Sequence, residues 1–163
     1  MNKGKSMSNL DRRPWMEADP KRLIGRGHAA GDFLEAYEWT VLEEREGYLK
    51  IAAHVPKHVR NPRGQLFGGF TPAYVDLVAL FTTRAGAERQ SGEIRRWLAT
   101  TNMRVDYLEP VLGPTFVIES FLIRRRNRMN FVETRFLDEQ GTILVLALTI
   151  MREISPEKSL GDA

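Results

Sequence analysis

The sequence predicts an α+β fold in which a six-stranded antiparallel sheet wraps around one long central helix. One long apolar helix candidate, residues 70–83, follows two strand candidates and precedes four more. The four later candidates are joined by short turns with no helix between them, which is typical of an antiparallel sheet. A helix that is apolar on nearly every side is normally buried, so we expect the sheet to cover it.

The strand candidates are rich in aromatic and β-branched residues and are bounded by Gly, Pro, Asn and Asp. They cover residues 36–44, 48–55, 98–107, 115–126, 130–138 and 143–154. The last is the most apolar, which favours a central place in the sheet. A short helical turn is expected near residues 32–35, and a polar connection without regular structure over residues 86–96.

The length of 163 residues suits one domain with a sizeable core. We expect that domain over residues 23–154, preceded by a polar, basic extension (1–22) and followed by a polar tail (155–163). The extension is expected to be partly disordered, with Trp15 anchoring part of it to the domain.

Composition excludes several classes of site. The chain has no cysteine, which excludes disulfides, thiolate nucleophiles and cysteine-ligated metal sites. It has no apolar leader and no run of about 18 apolar residues. We therefore expect neither secretion nor a membrane span, and we expect a cytoplasmic location. The net charge of +3 fits an anionic small molecule as well as it fits nucleic acid.

The most informative stretch runs from Asn61 to Thr83. Asp76 is the only charged residue between positions 70 and 83. A carboxylate on an apolar helix is costly to bury unless it is paired or functional. Just before the helix, Gly68 and Gly69 can bring backbone N–H groups close to a ligand at the positive end of the helix. Thr71 is predicted as the N-cap and Pro72 as the first helical residue.

These residues match a wider pattern, N-x-x-G-x-x-x-G-G, six residues, then Asp, followed later by Y-x-x-P. The matching residues are Asn61, Gly64, Gly68, Gly69, Asp76, Tyr107 and Pro110. The pattern resembles the hotdog-fold acyl-CoA thioesterases, most closely their PaaI-like branch, over roughly residues 33–153.

The resemblance implies a hydrolase that cleaves the thioester of an acyl-CoA or acyl carrier. Asp76 would be general base or nucleophile, and the Gly68 N–H would bind the oxyanion. Asn61 would bind the attacking water or orient the acyl group, and Thr100 would position the water. It also implies a homodimer or homotetramer in which Asn61 and Gly68 come from one subunit and Asp76 and Thr100 from another. No metal or redox cofactor is implied, and coenzyme A enters as part of the substrate.

Phe67 departs from the family pattern. Most relatives in this branch carry His before the two glycines, and a phenyl ring cannot donate a hydrogen bond to a thioester carbonyl. We therefore expect backbone N–H groups to polarise the carbonyl, with Phe67 and Gly69 contacting the substrate.

The basic cluster Arg124–Arg126 and Arg128 lies at a predicted hairpin. It is either a solvated edge that opposes aggregation or a site for the phosphates of coenzyme A, to which Arg126 and Arg128 are assigned. His54 and His58 are separated by Pro56, so a shared metal site is not expected.

Each candidate also has a purely structural interpretation. Asp76 can be a paired structural carboxylate, the two glycines a turn with positive φ, Asn61 an Asx turn before Pro62, and Thr100 an ordinary strand residue.

Two other functions stay open: an acyl-CoA-binding or regulatory protein without catalysis, and a nucleic-acid binder using the basic hairpin. The arginines lack interleaved aromatics, which counts against the nucleic-acid binder. A dehydratase on the same fold ranks low because no His-containing signature is found.

Overall fold

The computed structural model describes residues 19–91 and 96–154. Six strands form one sheet in the order β1-β2-β4-β5-β6-β3, and all neighbouring strands are antiparallel. The strands are β1 (Thr40–Arg45), β2 (Tyr48–His54), β3 (Trp97–Tyr107), β4 (Thr115–Arg126), β5 (Met129–Leu137) and β6 (Ile143–Ile154). The predicted α+β architecture is confirmed.

Helix α2 (Thr71–Thr83) packs against β2, β3, β4, β5 and β6. Tyr74 is fully buried and stacks on Trp39, with ring centroids 5.1 Å apart. Its hydroxyl donates a 2.8 Å hydrogen bond to the backbone carbonyl of His54. Because burial raises the pKa of Tyr74, this hydroxyl stays protonated and remains a donor at neutral pH. One aromatic side chain therefore fixes the rotation and height of α2 against the end of β2.

The region before the sheet differs from the prediction in two places. The short helix α1 is Ala29–Phe33, and residues 36–38, predicted as the start of a strand, form the 3₁₀ turn Ala36–Glu38. Glu35 has φ of 53°, in the left-handed region, and this bends the chain before the strand begins. The backbone N–H of Trp39 then bonds back to Ala36, so β1 starts only at Thr40.

The start of α2 also differs from the prediction. Thr71 is a helical residue with φ −52° and ψ −45°, and it is not the N-cap. A 3₁₀ turn, Gly68–Phe70, precedes it, and the Thr71 N–H bonds to the Gly68 carbonyl. The glycine pair therefore belongs to the helical turn itself, which places its free N–H groups at the start of the helical path.

Residues 143–154 form a strand inside the sheet, but the prediction that it is the central one is wrong. β6 lies between β5 and the edge strand β3, and the two middle strands are β4 and β5. A strand next to the edge has two hydrogen-bonded neighbours, as a middle strand does, so apolar composition does not separate the two places.

A third α-helix, α3 (Ala87–Ser91), lies in the connection predicted to lack regular structure. Its Arg89 pairs with Glu44 of β1 at 2.6 Å, and both side chains are only 9% exposed. The other Glu44 carboxylate oxygen accepts from the Gly86 N–H at 2.9 Å. This pair joins the segment after α2 to the edge strand β1, a long-range contact that local sequence does not reveal.

The described part of the N-terminal region is attached to the sheet. Leu23 and Ile24 are buried in the core, and the Lys21 carbonyl accepts a 2.8 Å hydrogen bond from the Val41 N–H. Trp15 and the tail at residues 155–163 lie outside the described residues. Among the described helices, none has the length and apolar character needed to cross a membrane.

Candidate active site

The turn that leads into α2 is built around Asn61. Its side-chain oxygen accepts hydrogen bonds from the backbone N–H groups of Arg63 (2.9 Å) and Gln65 (3.1 Å). Its amide nitrogen donates to the Gln65 side chain at 3.1 Å. These bonds form the Asx turn that was the structural alternative for Asn61. One amide hydrogen remains for a further acceptor.

The 3₁₀ turn Gly68–Phe70 presents the backbone donors. The first N–H groups of a helical segment have no carbonyl partner within it, and the helix dipole makes this end positive. The carbonyl of Phe67 accepts a 2.9 Å hydrogen bond from the Phe70 N–H. The peptide group that carries the Gly68 N–H is therefore held in place. An anionic oxygen placed before this turn would meet donors that need no reorganisation.

The ring of Phe67 lies over Gly69. A β-carbon added at Gly69 would stand 2.8 Å from the ring, so a glycine is required for this contact. The ring is 53% exposed and meets Phe70 edge-on, with centroids 5.8 Å apart. Phe70 in turn packs against Phe33 at 5.5 Å. Phe67 thus contributes an apolar wall beside the backbone donors.

Asp76 is half-buried and accepts a hydrogen bond from the hydroxyl of Thr100. The two come from different elements, α2 and β3, and meet across the space between helix and edge strand. Asp76 makes no ion pair within the described residues. One carboxylate oxygen is oriented by Thr100, which leaves the other for water or substrate.

Within one chain the two halves of this candidate site are separate. Gly68 and Asp76 lie about 12 Å apart along the helical path, since a helix rises about 1.5 Å per residue. Groups that act on one carbonyl must each approach it to about 3 Å. A single protomer therefore does not bring the Gly68 N–H and the Asp76 carboxylate to the same thioester.

A pocket of about 310 Å³ opens beside Gly68. Its wall includes Leu66, Gly68, Thr71, Tyr107, Leu108, Pro110, Val111 and Val145, together with the polar side chains of Gln65 and Glu109. Most of these side chains are apolar, and the volume is at the low end of the roughly 300–1,000 Å³ common for ligand pockets. The pocket adjoins the backbone donors rather than Asp76.

The arginine cluster lies at the turn between β4 and β5, as predicted. Asn127 and Arg128 form the turn with φ of 50° and 65°. The guanidinium of Arg125 donates to the Thr83 carbonyl at 3.0 Å, which puts the hairpin beside the C-terminal end of α2. Arg126 and Arg128 are exposed, and neither makes an ion pair with a described residue.

His54 and His58 do not share a site. His54 Nε2 is hydrogen-bonded to Glu35 at 2.8 Å, and His58 Nε2 to the Phe33 carbonyl at 2.6 Å. With Glu38, the pair His54–Glu35 forms a group of three possible metal ligands among the described residues. His54 Nε2 and one carboxylate oxygen of Glu35 are already hydrogen-bonded to each other.

The comparisons with known proteins decide the family. The sequence profile of the thioesterase superfamily matches residues 63–145, just over half of the chain. This chain belongs to the thioesterase superfamily. The matched range contains Gly68, Asp76 and Thr100, and Asn61 lies just before it. A comparison with curated proteins gives no significant match.

Solved structures of thioesterases share the fold at low identity. HI1161 of Haemophilus influenzae is 12% identical, with a TM-score of 0.68, over 88% of this chain and 96% of its own. The E. coli PaaI protein of the phenylacetic acid degradation operon is 14% identical, with a TM-score of 0.63, over 79% and 86%. A hypothetical thioesterase from Streptococcus pneumoniae, solved with coenzyme A, is 13% identical, with a TM-score of 0.60, over 72% and 87%. The sheet wrapped around α2 is the hotdog fold of these thioesterases, as predicted.

One site contact was missed by the sequence analysis. The hydroxyl of Tyr107, the last residue of β3, donates a 2.9 Å hydrogen bond to the Gly68 carbonyl. Tyr107 matches the family pattern, but the sequence does not assign it a role. There was no clear sequence signal for this contact, because residues seven apart on a regular strand face opposite sides. The register shift between Thr100 and Asn102 changes that alternation in β3.

Proposed function

We propose that the protein hydrolyses the thioester of an acyl-CoA or acyl carrier to a free acid and a thiol. The observation that carries the proposal is the Asp76–Thr100 pair, an oriented carboxylate on the central helix of a thioesterase-superfamily fold. The backbone donors at Gly68 and Gly69 provide the second component that acyl transfer needs, stabilisation of negative charge on the carbonyl oxygen.

The proposed chemistry needs one carboxylate and one oxyanion site. Asp76 takes a proton from water as the water oxygen attacks the thioester carbon, or attacks that carbon itself to give an anhydride that water then cleaves. Charge develops on the carbonyl oxygen, which the Gly68 N–H stabilises. Collapse breaks the carbon–sulfur bond and releases the thiolate. On the general-base route the thiolate takes the proton that Asp76 removed from water. On the nucleophilic route the thiolate takes a proton from solvent, and water then cleaves the anhydride to the free acid and regenerates Asp76. Thr100 holds the carboxylate in the reactive orientation.

The site is proposed to be shared between two copies of the chain. The separation of about 12 Å between Gly68 and Asp76 is too long for one carbonyl to contact both, because a helix rises about 1.5 Å per residue. A symmetric dimer solves this if the start of α2 in one copy faces Asp76 and Thr100 of the other. Asn61, with its one free amide hydrogen, then binds the water or the acyl group from the same side as Gly68.

The substrate proposal follows from the pocket and the hairpin. The pocket of about 310 Å³ beside Gly68 takes the acyl group, and its size favours a compact one. Phe67 and Gly69 contact the group next to the thioester. Arg126 and Arg128, exposed and without ion pairs among the described residues, bind phosphates of coenzyme A. The coenzyme A in the S. pneumoniae thioesterase structure supports this substrate class.

The test is release of free thiol from a panel of acyl-CoAs that differ in chain length and in aromatic content. We expect turnover of at least one compact acyl-CoA by the wild-type protein. Asp76→Asn, which keeps the shape of the side chain, should abolish turnover while leaving binding of a CoA ester and the melting temperature close to wild type.

The alternative is a protein that binds acyl-CoA without hydrolysing it, since Phe67 replaces a hydrogen-bond donor. Binding of the panel by calorimetry with no thiol release from any member would establish that alternative and reject hydrolysis. Turnover by Asp76→Asn at the wild-type rate would instead reject Asp76 as the reacting carboxylate.

A further inference from the structure

We infer that Tyr107 is a positioning residue for the oxyanion site, and that it makes the Gly69 N–H a second oxyanion donor beside that of Gly68. The inference rests on the proposed function and deepens it. It starts from two contacts of the Tyr107 side chain, which packs on Gly68 and hydrogen-bonds to its carbonyl.

The hydrogen bond acts on one particular peptide group. The carbonyl of Gly68 and the N–H of Gly69 belong to the same planar trans peptide and point in opposite directions. The Tyr107 hydroxyl donates to that carbonyl at 2.9 Å, and the Thr71 N–H donates to it from within the helical turn. A carbonyl oxygen has two lone pairs and accepts both. The direction of the Gly69 N–H is thereby fixed from the opposite side of the peptide.

The neighbouring peptide is held in a matching way. The Phe67 carbonyl accepts from the Phe70 N–H at 2.9 Å, and this fixes the Gly68 N–H. Successive N–H groups at the start of a helical turn point the same way along the axis. Gly68 and Gly69 therefore present two adjacent donors to one anionic oxygen. Hydrogen bonding to the far end of a peptide also polarises its N–H, which strengthens it as a donor.

Tyr107 is anchored through its backbone, while its side chain is 55% exposed. It is paired with Val145 in the ladder between β3 and β6, so its backbone is part of the sheet. Its ring lies 3.5 Å from where a β-carbon on Gly68 would be. Two adjacent glycines have more backbone freedom than any other residue pair, so an external contact has most to restrain there. The Tyr107 hydroxyl links the backbone of Gly68 and Gly69 to the end of β3.

The test is Tyr107→Phe, which removes the hydroxyl and keeps the ring against Gly68. With the best acyl-CoA of the panel, we expect kcat to fall about three- to ten-fold with KM unchanged, the effect of one hydrogen bond. Tyr37→Phe is the matched control. The Tyr37 ring contacts Arg26, and among the described residues no hydrogen bond joins its hydroxyl to the glycine turn, so this variant should keep the wild-type kcat. Both variants should melt close to wild type.

A spectroscopic measurement separates positioning from a general structural effect. Infrared spectra of an isotope-labelled thioester bound to Asp76→Asn report the strength of hydrogen bonds to the carbonyl. Adding Tyr107→Phe should move the carbonyl band back toward its frequency in water. If the wild-type protein turns over an acyl-CoA, but Tyr107→Phe changes neither kcat nor the carbonyl band, this inference is overturned and the proposed function is not. Absence of wild-type turnover with every acyl-CoA overturns the proposed function instead.

Discussion

The backbone around Gly68 does not by itself require a glycine at this position. Gly68 is the first residue of the 3₁₀ turn before α2, and its surface is covered on one side by the Tyr107 ring. Its φ is not in the left-handed region, and a β-carbon would make an ordinary 3.5 Å contact with that ring. The fold itself therefore accepts other residues here. The stronger requirement is the N–H group, which the proposed chemistry uses.

Gly68→Pro tests that requirement because proline lacks the backbone N–H group. Phe67 has φ −66° and ψ 125°, a conformation that suits a residue before proline, and proline is tolerated at the first helical position. The variant should fold and lose about 10² to 10³ in kcat, the usual effect of removing an oxyanion donor. Gly68→Ala is the control because it keeps the N–H. Equal kcat values for the two variants in a thiol-release assay would reject the Gly68 N–H as a donor.

Thr100→Val tests the orientation of Asp76. Valine has nearly the shape of threonine but cannot donate the hydrogen bond that the carboxylate accepts. We expect kcat to fall about ten- to a hundred-fold, since hydrogen bonds to charged groups are the stronger ones. Thr101→Val is the matched control, because the Thr101 hydroxyl donates to the Ile150 carbonyl at 3.0 Å instead. If both variants lose activity equally, Thr100 has no special relation to Asp76.

Residue patterns predicted part of this site and not the rest. The lone acid on an apolar helix and the glycine pair before it are visible in sequence because the chemistry is local. Thr100 was placed only by resemblance, and the structure brings its hydroxyl to Asp76. The hydrogen bond from Tyr107 to Gly68 joins residues 39 positions apart, and no local pattern encodes such a contact. Asp76 is half-buried rather than enclosed, because β3 is an edge strand.

Among the elements, the strands were predicted better than the helix ends. β4 and β6 have the limits that alternation and turn residues predicted. The turn before β6 shows why: the backbone N–H of Thr142, with that of Gln140, bonds to Asp138 and holds the pKa of its carboxyl below the usual value. The start of α2 was misplaced because Gly68–Phe70 forms a 3₁₀ turn that continues into the helix, and propensity does not distinguish this from a capped start.

The pair between β1 and α3 gives a prediction about stability. Glu44 is 9% exposed and is bonded by both Arg89 and the Gly86 N–H. Glu44→Gln should leave Arg89 buried without its counter-charge and lower the free energy of unfolding by about 3–5 kcal/mol in urea titrations. The adjacent Glu43→Gln, whose partner Arg45 is exposed, should cost less than about 1 kcal/mol. Similar losses for both variants would show that burial of the pair does not matter.

The β4–β5 hairpin gives a prediction about substrate recognition. Replacing Arg126 and Arg128 together with glutamine should raise KM for an acyl-CoA about ten-fold, because each arginine provides a charge-assisted contact to phosphate. KM for the same acyl group on N-acetylcysteamine, which lacks the phosphates, should not change. The control Arg26→Gln/Arg45→Gln removes equal charge from side chains that stack on Tyr37 and Tyr48. Equal effects on both substrates would place the hairpin outside the CoA site.

At the scale of the whole molecule, the separation of the two half-sites is the main consequence of the fold. The 3₁₀ turn with the proposed oxyanion donors and the helix with the proposed acid form one helical path, along which Gly68 and Asp76 are about 12 Å apart at about 1.5 Å of rise per residue. Sequence alone gives this spacing but not which surfaces meet, since an interface depends on side chains from the sheet and the loops together. The proposed reaction at a single thioester therefore needs a second copy of the chain.

The most direct test of this account is to mix two inactive variants. Asp76→Asn and Gly68→Pro are co-expressed with different tags, and oligomers carrying both tags are purified and verified by native mass spectrometry. Each variant alone should be at least about 10²-fold slower than wild type in thiol release. Mixed oligomers should recover about a quarter to a half of the wild-type rate, because some sites then combine an intact Gly68 N–H with an intact Asp76 from the other copy. Verified mixed oligomers that are as inactive as the single variants would contradict the shared site.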